Sequence, residues 1–428
     1  MLLQFSLRLA LRNKPKLFAS AITHTLTYSS KASDPLRVLF CGSDEFSVSA
    51  LRELEKEKIT NPSLIKSIDV LCRPGKPIGR GMRKIAEAPI KAAAQNLGLP
   101  VHETDTFTGW ELPRPEDEDV NLVIAVSFGL FIPPRILKKA KYGGINLHPS
   151  ILPNFRGPAP LHHTLLSGHG FTGATLQTLD HKRFDHGIVL DQTSPWLGIP
   201  DLCTYDELLK IVTPISAALL VKGLNQRLFL PPLNHVGWVP QSDEKLIHAR
   251  KITSIDKKMP WRPVDGAKSV VRTYNALGCL WSYAYQAPNN PKRIKLHDIS
   301  TEIREIDFFP KTHEADTLMK RLGTVTGSLV RFIVVPTSEG EWQAVFYHND
   351  SNDAGSISFL FPIGVDSESG WSSVSVGKIT VEGKQTLRAQ QVIRQFSQDR
   401  ERWCLKLTNE SRPGSVSYFA AFPLPDSS

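Results

Sequence analysis

The chain has 428 residues, of which 41% are hydrophobic and 22% are charged, so its composition predicts a soluble globular protein of two or three domains. We find no apolar run near the roughly 18 residues that a membrane-spanning helix requires, which argues against a membrane span. The five cysteines form no CxxC pair, so reduced thiols are expected rather than a disulfide scaffold or a zinc site, and the net charge is +9.

Much of the positive charge lies at the N-terminus. Residues 1–33 contain five lysines or arginines and no acidic residue, and they are rich in Leu, Ser and Thr. This composition is typical of a cleavable mitochondrial presequence. A secretory signal would need a longer unbroken apolar stretch, which Arg8 and Arg12 interrupt; a disordered tail is the remaining alternative. We therefore expect residues 1–33 to direct the chain to the mitochondrial matrix.

Beyond residue 33, apolar runs alternate with segments of helical periodicity. The predicted elements are strands at 37–42, 68–72, 120–127 and 144–148, and helices at 47–57, at 84–97 with a break at Pro89, and from Pro133 to about Ala140. This alternation predicts an α/β fold with a parallel, Rossmann-like doubly wound sheet. Segments 174–179 and 184–190 are expected to add a strand and its return.

A longer helix and a linker follow. Thr204 and Glu207 have capping-box spacing ahead of an apolar helix, which should run to about Lys222 and bend near Pro214. The segment 228–240 contains three prolines and no charged residue, which favours an interdomain linker.

The pattern changes after residue 245. Short runs containing Val, Ile, Phe and Trp alternate with turn residues, at 280–285, 329–335, 342–348 and 357–361. They predict a smaller C-terminal β-barrel, OB-like in kind. We therefore place a catalytic domain at 34–225, a linker at 226–244 and the barrel at 245–428.

The loop after the first predicted strand gives little support to nucleotide binding. It carries Gly42 without the second and third glycines of a GxGxxG motif, and the chain has no GxxxxGK[ST] segment. NAD binding and P-loop chemistry therefore lack their usual support. Gly42 either lets the chain turn from strand to helix or belongs to a ligand-facing loop, and the residues leave both open.

Asn146 and His148 are the first candidates for chemistry. They are two apart on a predicted strand, so both side chains face the same side, at the carboxyl end where open α/β sheets bind ligands. An amide can hold a carbonyl oxygen while charge builds on it, and an imidazole can move a proton near neutral pH. The pair suits acyl transfer, although a core histidine with a satisfied hydrogen bond would give the same pattern.

Two aspartates follow on a predicted turn. Asp180 and Asp185 lie between the strand at 174–179 and its return. A carboxylate there could meet His148 and orient its ring, as the third group of a catalytic triad does. The alternative is that both aspartates belong to a solvated turn.

Together these motifs resemble the folate-dependent formyltransferase family. The resemblance rests on Asn146-x-His148, on the SxLPxxxG stretch at 150–157 and on the GxT…D-x-G stretch at 173–187. It implies a doubly wound catalytic domain, with 10-formyltetrahydrofolate as the formyl donor and no metal. The family's catalytic trio falls on Asn146, His148 and Asp185.

The same resemblance implies where the folate binds. Its pterin should lie against the strand near 123–128 and the loop that follows. The folate-binding residues implied are Ser127, Phe128, Ser150, Leu152 and Pro153.

The chain departs from the family pattern in two places. The segment from Gly173 to Asp185 is one residue longer than usual, which leaves Asp180 in competition; Asp185 keeps the D-x-G context and is preferred. The usual Thr-Pro after the first-strand glycine is Ser43-Asp44 here. The barrel also carries what look like added loops near 286–292, 310–322 and 350–356.

Three further stretches resemble those members of the family that formylate a charged tRNA. Residues 73–81 resemble a basic loop after the second strand, and 249–261 and 275–285 resemble the start of the C-terminal domain and its first barrel strand. The acceptor implied is initiator methionyl-tRNA, bound by Arg73, Lys76, Arg80, Arg83 and Lys251. Segment 245–272, with eight basic residues, is interpreted as a second RNA-facing strip. The alternative for both is ordinary solvated surface.

Two other functions compete with this interpretation. One is formylation of a different amine, such as a glycinamide ribonucleotide or an amino sugar. The other is a non-catalytic RNA-binding or assembly factor built on the same fold, which would be expected to lack one of the three catalytic residues. We expect a monomer with no membrane partner.

Overall fold

The computed structural model describes residues 31–79, 81–194, 196–240, 245–261, 265–285, 291–306, 331–336, 342–350, 353, 355–363 and 370–397. Nearly all of the expected presequence, Arg80 and the added loop at 310–322 lie outside these residues, as does most of the loop near 286–292. Within the described part, no helix is both long and apolar enough to cross a bilayer.

The first half of the chain forms a mixed α/β layer structure. Its strands are β1 (Leu36–Gly42), β2 (Ile65–Cys72), β3 (Lys76–Ile78), β4 (Lys84–Ala86), β5 (Val101–Glu103), β6 (Leu122–Val126), β7 (Gly144–His148), β8 (Phe171–Thr172), β9 (Thr175–Thr178), β10 (Val189–Gln192) and β11 (Leu197–Gly198). Its helices are α1 (Glu45–Thr60), α2 (Pro89–Asn96), α3 (Pro134–Lys139), α4 (Pro160–Leu166) and α5 (Tyr205–Asn225), with a 3₁₀ turn at Pro115–Asp117.

Seven of these strands form one sheet in the order β10-β9-β7-β6-β1-β2-β5. The pairs among β7, β6, β1, β2 and β5 are parallel, as predicted, whereas β9 pairs antiparallel with both β7 and β10. The predicted strand at 174–179 is confirmed as β9, whereas its return begins at Val189, five residues later than predicted; together they form the antiparallel edge of the sheet.

The helix predicted at 84–97 is wrong in its first half. Lys84–Ala86 is strand β4, which pairs with β3 in a separate two-stranded hairpin. The helix begins only at Pro89, where proline sits in the first turn. Proline lacks the N–H that a helix interior needs but fits a first turn, so Pro89 starts this helix and does not break it.

The sheet is buried on both faces. Along β1, Val38 and Phe40 belong to one apolar cluster, with Leu51 of α1, and Leu39 belongs to the cluster on the opposite face, with Ile136 of α3. A sheet covered by helices on both sides fixes the ends of its central strands rigidly. The carboxyl ends of β1, β6 and β7 therefore meet at a firm edge.

The second half contains a separate antiparallel sheet. Its elements are α6 (Ala267–Leu277), β12 (Leu280–Tyr285), β13 (Pro291–Ile306), β14 (Arg331–Pro336), β15 (Trp342–Asn349), β16 (Ile357–Pro362), β17 (Trp371–Val381), β18 (Thr386–Arg388) and α7 (Ala389–Ile393). The strand order is β12-β13-β17-β16-β15-β14, with β18 paired to β17. The β-rich character is confirmed, while the OB-like assignment stays a prediction. Asn275 belongs to α6, so the first strand begins five residues later than the resemblance suggested.

The two halves meet through backbone hydrogen bonds at the loop that follows β7. Phe155 N donates to Ile247 O at 2.8 Å, and Ala249 N donates to Arg156 O at 2.7 Å. Gly157, at φ +121°, lies so close to this segment that a Cβ atom there would be 2.4 Å from Ala249 O. Only glycine fits both the conformation and the space.

Four of the five cysteines lie in the described part, and none of these forms a disulfide: Cys41, Cys72, Cys203 and Cys279. Burial raises the pKa of Cys72 to about 11 and also raises that of Cys41. Thiols held in their protonated form in this way are poor nucleophiles.

The capping box of α5 gives a direct test of the local structure. Thr204 Oγ1 accepts from Glu207 N at 3.3 Å, and Thr204 N donates to Glu207 Oε2 at 2.8 Å. Thr204→Ala should therefore cost about 1 kcal/mol. For a domain of this size we expect Tm to fall by about 2–4 °C in thermal unfolding. Thr204→Ser keeps the capping oxygen and should stay within about 1 °C of wild type; equal losses in both variants would contradict the capping role.

Candidate active site

Asn146 and His148 lie at the carboxyl end of β7, as the sequence predicts. His148 is only 5% exposed, and its Nε2 lies 3.0 Å from the carbonyl oxygen of Phe155. A carbonyl can only accept, so Nε2 carries a hydrogen in this arrangement. The other ring nitrogen, Nδ1, is left facing Asp185 Oδ1 at 3.6 Å, which is too long for a direct hydrogen bond.

The structure brings Asp185, and not Asp180, to this pair. Asp185 Oδ1 lies 3.4 Å from Asn146 Nδ2, and Oδ2 accepts from Gly157 N at 2.9 Å. Asp180 instead caps its own turn, where it accepts from the backbone N–H groups of Lys182 and Arg183. These two backbone bonds lower the pKa of Asp180.

The turn that carries Asp185 is tightly held. Asp185 itself has φ +54°, and its carbonyl oxygen accepts from Arg156 Nε at 2.7 Å. Burial is the main cause that lowers the pKa of Arg156, and the nearby Asp185 opposes it. Two residues on, a Cβ atom at Gly187 would lie 1.7 Å from Thr178 O, so this turn packs directly on β9.

The predicted folate residues fall into two groups. Ser150 and Leu152 are buried in the loop after β7, where Thr175 Oγ1 donates to Ser150 O at 2.7 Å and accepts from Leu152 N at 3.1 Å. Pro153, in the same loop, lines the cavity described next. The loop is thus fixed to β9, with its side chains turned largely inward.

The second group follows β6. Ser127 is exposed and has φ +51°, while the side chain of Phe128 is 4% exposed and packs edge-on against Phe107. Phe128 therefore offers its backbone, rather than its ring, to the carboxyl edge of the sheet. Ser43, after β1, lies 3.4 Å from the carbonyl oxygen of Phe128 through its hydroxyl, which links the two loops.

A cavity of about 220 Å³ opens beside Asp185. One wall comes from the loop after β7 and from β9 and β10, and the other comes from the segment interpreted as a linker. The lining residues from that segment are His235, Trp238, Val239 and Pro240. Trp238 N donates to Gln192 Oε1 at 3.0 Å, and Val236 N donates to Val189 O at 3.0 Å. The linker is therefore part of the site, which the sequence analysis did not anticipate.

The sequence analysis also missed Gln177. It stands opposite Asn146 in the β7–β9 pair, is 1% exposed, and donates to Asp185 Oδ1 at 3.3 Å. A fully buried amide in a sheet strand was the available signal, because such groups need a partner.

The predicted tRNA-binding residues differ in whether they already form an ion pair. Arg73 pairs with Asp105 at 2.9 Å. Lys76 begins β3, Arg83 lies just before β4, and Lys251 follows the joint between the halves. All three are exposed, and among the described residues no carboxylate forms an ion pair with them. Arg80 lies outside the described residues. Among those residues, no three His, Cys, Asp or Glu side chains are grouped as a metal site.

Comparison with known proteins agrees with this geometry. Residues 36–200 match the family model described as formyl transferase. A putative methionyl-tRNA formyltransferase of Schizosaccharomyces pombe is 35% identical over 225 residues, 52% of this chain and 62% of that protein. The mitochondrial methionyl-tRNA formyltransferase of Saccharomyces cerevisiae is 32% identical over 284 residues, 58% of this chain and 69% of that protein. The mitochondrial enzyme of Bos taurus is 32% identical over 245 residues, 57% of each chain.

The share of each relative that this chain covers decides whether a family can be assigned. The chain spans less than two thirds of the S. pombe protein but 69% of the S. cerevisiae protein, at more than 30% identity. The family model begins with β1 and ends after β11, so it includes all the strand ends that form the site. The chain therefore belongs to the methionyl-tRNA formyltransferase family.

Proposed function

We propose that the protein transfers a formyl group from 10-formyltetrahydrofolate to the α-amine of initiator methionyl-tRNA, in the mitochondrial matrix. The observation that carries this proposal is the grouping of Asn146, His148 and Asp185 at the carboxyl end of β7. The acid-free N-terminal segment and the mitochondrial relatives support the location.

The chemistry begins with attack of the neutral amine on the formyl carbon. Among the described residues, Asn146 Nδ2 has only a long contact, 3.4 Å, with Asp185, so it retains hydrogen-bonding capacity for the oxyanion that forms. The intermediate then collapses, the bond from the formyl carbon to the folate nitrogen breaks, and the proton lost by the amine ends on that nitrogen. The products are an N-formyl amine and tetrahydrofolate.

His148 carries the proton between these two nitrogens. Its Nε2 is occupied by the carbonyl of Phe155, so we assign the transfer to Nδ1, which faces the open side of Asp185. At 3.6 Å from Nδ1, the Asp185 carboxylate is close enough for its charge to act on the ring. Asp185 stabilises the ring in its doubly protonated form, as a carboxylate beside an imidazole does in other triads.

We assign folate binding to the two loops at the strand ends, through Ser127, Phe128, Ser150, Leu152 and Pro153. Ser127 and Phe128 contribute mainly backbone groups, since the ring of Phe128 is in the core. Ser150 and Leu152 hold the loop whose Pro153 faces the cavity.

The tRNA is bound by basic residues outside the cavity. We assign Lys76, Arg83 and Lys251 to direct phosphate contacts, because they are exposed and free of ion pairs within the described residues. Arg73 and Arg80 complete the set, with Arg73 first having to exchange Asp105 for a phosphate. Phosphate contacts of this kind position the substrate without reading bases.

The first test replaces the histidine. His148→Ala should lower kcat for N-formylmethionyl-tRNA formation by about 10²–10³-fold, because it removes the proton carrier. The Kd for folate and for tRNA should change less than about threefold, which corresponds to about 0.7 kcal/mol. Product would be followed on acid gels, with binding measured separately. A comparable loss in kcat and in tRNA affinity would contradict the catalytic assignment.

The second test separates the two aspartates. Asp185→Asn removes the charge beside His148 and should lower kcat at least about 100-fold. Asp180→Asn keeps an acceptor oxygen for the two backbone N–H groups and should leave kcat and KM close to wild type. Single-turnover formylation by both variants decides the matter, and the reverse order of activities would move the assignment to Asp180.

The third test concerns the tRNA surface. Lys76→Ala and Arg83→Ala should each weaken tRNA binding and reduce the slope of log K against log salt by about one. Folate binding should not change. Lys56→Ala is the matched control, since Lys56 is an exposed lysine on α1 that pairs with Glu53. A salt slope lowered as much by the control as by the hairpin variants would rule out the hairpin as the contact.

A further inference from the structure

Gln177 lies in β9, which pairs with β7 on one side and with the edge strand β10 on the other. Its backbone stands opposite Asn146 on one side and Val189 on the other. Side chains directly opposite in an antiparallel pair share one face of the sheet, and His148, two residues from Asn146, lies on that face as well. The fold therefore places the Gln177 amide among the reacting groups.

Both ends of that amide are used, and by the same turn. Nε2 donates to Asp185 Oδ1 at 3.3 Å, and Oε1 accepts from Gly187 N at 3.2 Å. A carboxylate can only accept and a backbone N–H can only donate, so the partners fix which end of the amide is which. Gln177 thus binds the turn at two points, the carboxylate of Asp185 and the backbone N–H of Gly187.

The Asp185 carboxylate depends on this hydrogen bond for its orientation. Asp185 Oδ2 is fixed by Gly157 N at 2.9 Å. Within the described part of the chain, Oδ1 has only longer contacts, to Gln177, to Asn146 at 3.4 Å and to His148 at 3.6 Å. Of these, Asn146 and His148 must be free to interact with the substrate. Gln177 is the partner of Oδ1 that can remain in place throughout a turnover.

We infer that Gln177 is a positioning residue for formyl transfer, which acts by holding the Asp185 carboxylate towards His148. This inference rests on the proposed function. Gln177 also borders the cavity beside Asp185, so the test has to separate positioning from substrate binding.

Two substitutions separate the two hydrogen bonds. Gln177→Met has a similar length and removes both. Gln177→Glu keeps an acceptor for Gly187 N but sets a second carboxylate against Asp185 Oδ1, where like charges repel. We expect each variant of the full chain to lose about tenfold or more in kcat, because small misplacements of catalytic groups are costly. KM for folate and for methionyl-tRNA should stay within about twofold of wild type, a change well below 1.4 kcal/mol.

Asn121→Leu is the matched control. Asn121 is 3% exposed and also uses both ends of its amide, accepting from Arg37 N at 2.8 Å and donating to Pro35 O at 2.9 Å. It lies at the amino end of β6, the edge of the sheet away from the site. We expect a lower Tm with wild-type kcat, which a purely structural role of Gln177 would reproduce.

The outcomes are distinct. Unchanged kcat in both Gln177 variants below their Tm, or a raised KM with unchanged kcat, would overturn the positioning role and leave the proposed function intact. If kcat falls in Gln177→Met but is normal in Gln177→Glu, the hydrogen bond to Gly187 N is the one that matters. That result would also overturn the positioning role. Absence of formyl transfer by the wild-type chain would overturn the proposed function, and this inference with it.

Discussion

The carboxylate of Asp185 is largely removed from water, and the surrounding structure has to replace its hydration. Its side chain is 12% exposed, and an ionised carboxylate at such a position requires hydrogen bonds or a countercharge. Three parts of the structure surround the carboxylate in place of water. β7 supplies Asn146 and His148, β9 supplies Gln177, and the loop after β7 supplies Gly157 N. A slip of one residue in the β7–β9 register would turn Gln177 to the opposite face. The sheet pairing is therefore a condition of the chemistry.

The loop after β7 connects this site to the second half of the chain. Phe155 holds His148 through its carbonyl while its own N–H is bound to Ile247, and Arg156 holds the turn of Asp185 while its carbonyl is bound to Ala249. Each of these two residues thus has one group in the site and one in the joint. The geometry of the catalytic groups depends on both halves, and the close approach at Gly157 leaves little freedom between them.

The sequence predicts well what apolar patterning controls. The central strands were located because they are buried on both faces, and the strand that carries Asn146 and His148 was placed to the residue. The β3–β4 hairpin escaped prediction because the residues of both strands are exposed, which leaves no alternation to detect. The wall formed by Trp238 escaped for a different reason: a charge-free, proline-rich segment is typical of a linker, and its partner Gln192 is 46 residues away.

Long-range contacts also identify two residues of the site. The sequence left one of them in competition with a neighbour and missed the other. The sequence prefers Asp185 for its D-x-G context but leaves Asp180 in competition, and the path of the turn across β9 brings Asp185 to His148. Gln177 lies in β9 beside Leu176 and on the same face as Thr175, and its amide is only 1% exposed. A buried amide of this kind needs a hydrogen-bond partner inside the protein. Periodicity places such a residue on a strand, but only the long-range fold shows that its partner is Asp185.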